Sequence, residues 1–293
     1  MLIQLGMDTV EILIIGGSGA YFIEKELLGK FIKTLLVKTP FGEASPIHIF
    51  EQSSRRFGFL SRHGEKGYEL TAPFVNYRAN IYAAKTVGVK RILAWTGPGG
   101  VSKSLKPGDF VIPSDIIDFT KNRKFTFFEN KGLGFIRQNP LFCPEMCDIL
   151  QKISFDGFKL HKSRVYVCTE GPRLETKAEI NLFKIIKGDM VGMTLVPEVF
   201  LAKELEICYS AVCYITNYAE GVKPLKYKKG ELFEGTLPAK EKSKVDRCVR
   251  YFPEIIKSFL SLINDERKCP CKDSMLRYKK RGDISDNWKN WVK

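Results

Sequence analysis

The chain has 293 residues, 44% of them hydrophobic and 27% charged, which fits one large α/β domain or two small ones with ample material for a core. The formal net charge is +14, with much of the excess in 223–244 and 277–293; without interleaved stacking aromatics this reads as a surface that attracts phosphate-bearing small molecules, and a nucleic-acid partner is not expected. No stretch approaches ~20 uninterrupted apolar residues, and residues 1–10 carry neither a basic leader nor a small-residue cleavage site, so a membrane span and a secretory signal are not expected and the cytoplasm is the default.

Along the chain, apolar strand-like runs alternate with amphipathic segments, the order of an α/β fold. Residues 10–15 form a strand feeding Gly16-Gly17-Ser18-Gly19, and 57–61 form a strand entering Arg62-His63-Gly64. Helical spacing over 76–87 stops at Gly88, and a strand over 91–96 runs into Gly97-Pro98-Gly99-Gly100. Pro107-Gly108-Asp109 turns into a strand over 110–119, and Pro144 opens a helix to about 153. A strand over 164–169 leads through Glu170-Gly171-Pro172-Arg173 into a helix over 176–186. Pro197-Glu198 starts another helix, and 207–216 is a buried strand. Residues 218–244 read as a long polar connection that could be mobile, 245–263 as a final amphipathic helix, and the charged stretch from Asp265, with Trp288 and Trp291, as an extension that is mobile or docked on a neighbour. The division is therefore 1–264 as one domain and 265–293 as a basic C-terminal extension.

Of the eight cysteines, Cys143, Cys147, Cys168, Cys208, Cys213 and Cys248 lie in apolar or mixed segments and read as buried thiols. Cys269-Pro270-Cys271 has no second cysteine or histidine pair nearby in the sequence, so a strained local disulfide or plain thiols are expected ahead of zinc, and no metal is expected.

Several strand-end loops carry the residues that bind anions. Gly16 to Gly19 lacks the full G-x-G-x-x-G spacing of a dinucleotide site, since Tyr21 and Phe22 follow, but it offers backbone N–H groups and the Ser18 hydroxyl. Arg62 supplies a planar fork for phosphate oxygens and His63 an additional donor. Thr96 and Gly97 close another strand, and Gly192-Met193-Thr194 places a hydroxyl where a strand meets a helix. Glu175 stands at a helix start and Asn217 ends a buried strand.

Taken in order, Gly-Gly-Ser-Gly, Arg-His-Gly, Asn-Tyr-Arg-Ala-Asn at 76–80, Pro-Gly-Asp, Glu-Gly-Pro-Arg, Gly-Met-Thr-x-Val-Pro-Glu and Thr-Asn resemble the purine nucleoside phosphorylase and methylthioadenosine phosphorylase family over about 10–263. The resemblance implies a single three-layer α/β/α domain around a twisted mixed sheet, assembled as a homotrimer whose subunits lend residues to each other's sites. It implies phosphate held by Ser18, Arg62, His63, Thr96, Gly97 and Thr194, a ribose packed on Met193, and no metal or organic cofactor, inorganic phosphate being the co-substrate. Glu175, Asn217 and His63 are the residues to which it gives the chemistry.

Base choice follows from two positions. Adenine-type members carry aspartate where Asn217 stands and a small hydroxyl residue where Glu175 stands; members that take hypoxanthine and guanine carry asparagine and glutamate. A 6-oxopurine donates from N1–H, which Glu175 accepts, and accepts at O6 and N7, to which the Asn217 amide donates. The expected substrates are inosine, guanosine or 5′-methylthioinosine, with methylthioadenosine phosphorolysis and simple hydrolysis as the alternatives. The family histidines that read the 5′ position are missing, since no histidine follows His161; Phe135, Leu141 or Phe142 could line an apolar pocket there instead.

Overall fold

The computed structural model describes residues 9–224 and 229–292. Its strands are β1 (Ile12–Gly16), β2 (Lys30–Leu35), β3 (Lys38–Thr39), β4 (Gly42–Glu43), β5 (Ile47–Gln52), β6 (Arg55–Ser61), β7 (Arg91–Thr96), β8 (Gly99–Gly100), β9 (Phe110–Phe119), β10 (Leu160–Thr169), β11 (Met190–Gly192), β12 (Cys208–Tyr214) and β13 (Asn217–Tyr218). The helices are α1 (Tyr77–Thr86), α2 (Pro144–Leu150), α3 (Lys177–Ile185), α4 (Glu198–Glu204), α5 (Phe233–Thr236), α6 (Ala239–Leu262) and α7 (Leu276–Arg281). All strands but β3 and β4 join one sheet in the order β13-β8-β11-β10-β9-β12-β7-β1-β6-β5-β2.

Continuous apolar runs make the sheet's centre, because a strand covered on both faces needs no polar alternate. Every residue of β1, β7 and β12 is buried. Their side chains still alternate between two cores. Leu13, Ile15, Ile92, Ala94, Tyr209 and Ala211 pack on one side with α1 and α4; Ile12, Ile14, Leu93, Trp95, Cys208 and Val212 pack on the other with α2 and α6. Trp95 stacks between Tyr214 and Phe252 of α6, at centroid distances of 4.8 and 4.1 Å. That is the expected three-layer mixed architecture. Since β1 runs parallel to β6 and β7, and β7 to β12, their carboxyl ends finish on one edge of the sheet, where open α/β sheets bind ligands.

Boundaries differ where charge obscures the pattern. Helix α6, expected from 245, begins at Ala239, because Lys240 and Lys242 face solvent while Cys248, Phe252, Ile255, Ile256 and Phe259 are buried. The polar connection is shorter than 218–244: Tyr218 already belongs to β13, and of the remainder 225–228 lie outside the described residues.

The C-terminal stretch packs on the body of its own chain. Met275, Tyr278, Trp291 and Val292 join the core that contains α1 and α4, Trp288 meets Tyr82 edge-on at 5.0 Å, and Lys279 pairs with Glu206 at 2.7 Å. Gly282 ends α7 at φ 77°. The tail also corrects the reading of the cysteines: it carries Cys269 and Cys271 back to Cys143, which caps α2, and Cys208, which opens β12. The sulfur atoms of all four lie within 4.8 Å of one another. Distance along the chain hid a grouping that the topology creates.

Candidate active site

The loops at the carboxyl edge enclose a cavity of about 180 Å³ lined by Ser18, His63, Thr96, Gly97, Glu175, Met193, Thr194 and Asn217 among others. It shares Leu174, Glu175 and Ala219 with a larger adjoining cleft of about 620 Å³, and Ser18 and Tyr68 with another of about 480 Å³. The small cavity is the chemically equipped one, because the hydroxyls, imidazole, carboxylate and amide converge there. The larger clefts are its extensions.

One end of the cavity is hydroxyl-rich. Thr96 Oγ1 and Thr194 Oγ1 are 2.9 Å apart, and the buried Tyr166 hydroxyl is hydrogen-bonded to the Thr96 side chain. Three hydroxyl hydrogens serve two bonds in this chain, so one hydrogen is left for a ligand oxygen. The Tyr166 hydroxyl also accepts from Thr194 N at 3.5 Å, and it fits only because residue 192 is glycine: a Cβ there would lie 2.1 Å from it. Ser18 is held in turn by Tyr214.

His63 sits beside them with its ring stacked on Tyr68 at 4.3 Å, and its backbone N–H donates to Tyr21 Oη at 2.9 Å. Burial pushes the imidazole down to about 4, the Arg62 charge adds to this, and the Leu70 carbonyl opposes it. The neutral ring donates from Nδ1 to Leu70 O at 2.8 Å, so Nε2 is an acceptor. This corrects the expectation of an extra donor: the ring suits the hydroxyl of a monohydrogen phosphate. The unfolded chain takes up this proton near pH 6.5, the folded chain only near 4. Stability is thus fully present above 6.5 and falls as pH drops through that window, by about 3 kcal/mol at the limit. His63→Gln is expected to flatten the pH dependence of the unfolding free energy between 6.5 and 4; denaturant titrations of both proteins showing equal slopes would contradict it.

Arg62 does not line the cavity. It is fully buried, and its Nε and Nη2 grip the two Glu198 oxygens at 2.8 Å each while Nη1 donates to Trp95 O at 3.2 Å. Burial alone would lower its affinity for the proton, but the Glu198 carboxylate overrides that and holds the guanidinium charged. Tyr209 Oη donates to the same carboxylate at 2.6 Å. The fork expected to seize phosphate is therefore taken by a helix-start carboxylate, and Arg62 stands behind the glycine loop, with Nη1 3.2 Å from where a Gly17 Cβ would be.

At the other end, Thr169 Oγ1 donates to Glu175 Oε1 at 2.6 Å, leaving Oε2 for a ligand. Asn217 Oδ1 accepts from Thr216 Oγ1 at 2.6 Å and Nδ2 donates to Tyr218 O at 2.9 Å. These two bonds fix which way the amide faces and leave one N–H for a ligand. Met193 lines the same cavity, pressed so close to Gly171, at φ 71°, that a Cβ there would meet its sulfur at 2.5 Å. Sequence reasoning missed Tyr68, Tyr166 and Thr169; Thr169 ends the strand before the Glu-Gly-Pro-Arg motif, which was the available signal. Leu141 and Phe142 are core residues and Phe135 is 80% exposed, so none of the three lines this cavity in its own chain.

Residues 11–255 match the family described as the phosphorylase superfamily. A relative from Dictyoglomus turgidum, described as a probable 6-oxopurine nucleoside phosphorylase, is 40% identical over 280 residues, covering 93% of this chain and 99% of its own. One from Methanothermobacter thermautotrophicus, described as a probable S-methyl-5′-thioinosine phosphorylase, is 38% identical over 264 residues, covering 89% and 88%. A crystal structure of a methylthioadenosine phosphorylase from an antarctic soil metagenomic library superposes with a TM-score of 0.82 at 30% identity, covering 97% of this chain and 98% of that one.

Proposed function

The chain belongs to the phosphorylase superfamily, and from that premise we propose that it cleaves 6-oxopurine nucleosides with inorganic phosphate, giving the free base and a ribose 1-phosphate. The observation that carries this is what one cavity gathers: the Ser18, Thr96 and Thr194 hydroxyls and a neutral imidazole, together with Glu175, the donor face of Asn217 and Met193.

A phosphate oxygen held by Ser18, Thr96, Thr194 and the Gly97 loop forms the bond to the anomeric carbon as the bond to the purine nitrogen breaks. The sugar passes through a cationic state, and the electron pair leaves with the base. Asn217 donates to the purine where that charge appears, and Glu175 accepts from N1–H. No enzyme nucleophile and no organic cofactor is required. His63 accepts from the phosphate hydroxyl, and Arg62 is a positioning residue behind the loop.

We further propose a cytoplasmic homotrimer in which a neighbour's 130–142 stretch, carrying the exposed Phe135, closes the sugar's 5′ end. With no histidine after His161 to read a 5′-hydroxyl, 5′-methylthioinosine stands beside inosine and guanosine as substrate. Thr194→Val removes one hydroxyl of the anion cradle. It is expected to raise the KM for phosphate by roughly 10- to 100-fold while the KM for nucleoside moves little; equal rises in both would contradict the cradle.

A further inference from the structure

The four cysteines drawn together by the tail take no part in the chemistry proposed above. Cys208 opens β12 and the active-site loop follows its far end, so the cluster lies about 20 Å from the cavity at the rise of an extended strand. Cys143, Cys208 and Cys269 are buried and Cys271 half-buried, and none of the four is in a disulfide. Cys208 Sγ and Cys269 Sγ are 3.3 Å apart, far beyond a covalent S–S bond of about 2.05 Å. All four sulfurs fall within 4.8 Å of one another. A tetrahedral ion with Zn–S bonds of about 2.3 Å needs sulfur–sulfur edges of about 3.8 Å, which this spacing accommodates.

The surroundings suit such an ion. Four thiolates on a divalent cation leave a net negative charge, and the Arg267 guanidinium reaches to 3.9 Å from Cys208 Sγ while also donating to Glu206 O at 2.8 Å. The strap that delivers the last two cysteines is itself pinned: the buried Arg91 donates to the carbonyls of Asp265 and Glu266, and Lys268 N donates to Glu145 Oε2 at 3.1 Å. Beyond the cluster, the tail enters the core through Met275, Tyr278 and Trp291 and holds the 127–135 stretch, since Phe135 N donates to Tyr278 Oη at 2.8 Å and Lys131 to Trp291 O at 2.8 Å.

We propose that Cys143, Cys208, Cys269 and Cys271 form a closed structural zinc site that clamps the C-terminal tail to the body of the domain. All positions of the tetrahedron are protein sulfurs, so the ion is structural and not catalytic. The thiols release their protons to solvent as they bind, so the clamp tightens as pH rises. The one-residue spacing of Cys269 and Cys271 is shorter than the usual two to four, and Cys143 and Cys208 come from separate elements. This is why no pattern in the sequence announced the site.

The test uses the full chain purified anaerobically under reductant and dialysed without chelator. Elemental analysis is expected to find about one zinc per chain, and replacement by cobalt(II) to give the charge-transfer and visible bands of a tetrahedral tetrathiolate. The zinc content of Cys269→Ser/Cys271→Ser is expected to fall at least tenfold, with its tail cleaved by protease at concentrations that spare the parent, whatever the phosphorolysis rate. If the double variant does not fold, the cobalt spectrum of the parent decides. Disulfides in the mass spectrum of the anaerobic protein, free thiols that take up neither added zinc nor cobalt, or a coloured iron tetrathiolate would each overturn the assignment.

Discussion

Arg62→Ala is expected to destabilise the folded protein by about 3–5 kcal/mol, the cost of leaving a buried carboxylate without its partner, and to lower the thermal midpoint by roughly 10 °C for a domain of this size. Glu198 is 1% exposed, and its remaining contact, the Tyr209 hydroxyl, carries no charge to replace the guanidinium. Arg62→Lys is expected to recover less than half of the loss, because a point charge cannot span both carboxylate oxygens as the planar fork does. Arg62→Leu/Glu198→Leu removes both charges and is expected to restore most of the stability while leaving phosphate affinity impaired, since the glycine loop loses the guanidinium behind it. Calorimetry on the single and double variants separates these outcomes. A single variant as stable as its parent would show that the pair is not what holds this end of the sheet to α4.

Asn217→Asp is expected to lower the inosine-to-adenosine ratio of kcat/KM by roughly 100-fold or more, because a site built around one hydrogen-bond pattern leaves the wrong base with unpaired buried groups. The geometry gives the reason. Nδ2 points at Tyr218 O, 2.9 Å away, and an aspartate oxygen in that place would face a carbonyl. The aspartate therefore favours its protonated form, which donates to Tyr218 O or to the purine N7. Glu175 still opposes adenine N1, so pairing the change with Glu175→Ser is expected to shift the ratio further than either alone. Steady-state rates on the two nucleosides at equal concentration give the ratio directly; an unchanged ratio would remove Asn217 from base selection.

How far the sequence could be read depended on what kind of information each feature needs. The central strands were legible because buried strands are nearly unbroken apolar runs: 91–96 coincides with β7, and 207–216 contains β12. The edge hairpins over 30–52 were passed over, since Lys30, Lys33 and Lys38 interrupt a surface strand as they would a loop. Loop residues that recur at strand ends, Ser18, Thr96, Thr194 and Asn217, were legible as a set because topology gathers such ends at one edge. What the sequence did not carry was pairing across the fold. Nothing local says that Glu198 will claim the Arg62 fork, that the Leu70 carbonyl will accept from His63 Nδ1, or that a tail at 269–271 will return to 143 and 208. Each depends on contacts between residues more than 60 positions apart, His63 and Leu70 excepted, and there the deciding term is burial.

At issue is whether one cavity grips an inorganic anion beneath the sugar of a 6-oxopurine nucleoside. The most direct measurement is release of base from inosine, guanosine, 5′-methylthioinosine and methylthioadenosine, each with phosphate present and with phosphate rigorously removed. Release from the 6-oxopurine nucleosides is expected to stop without phosphate and to be matched mole for mole by sugar 1-phosphate when phosphate is supplied. Base release that continues at an undiminished rate in its absence would contradict it.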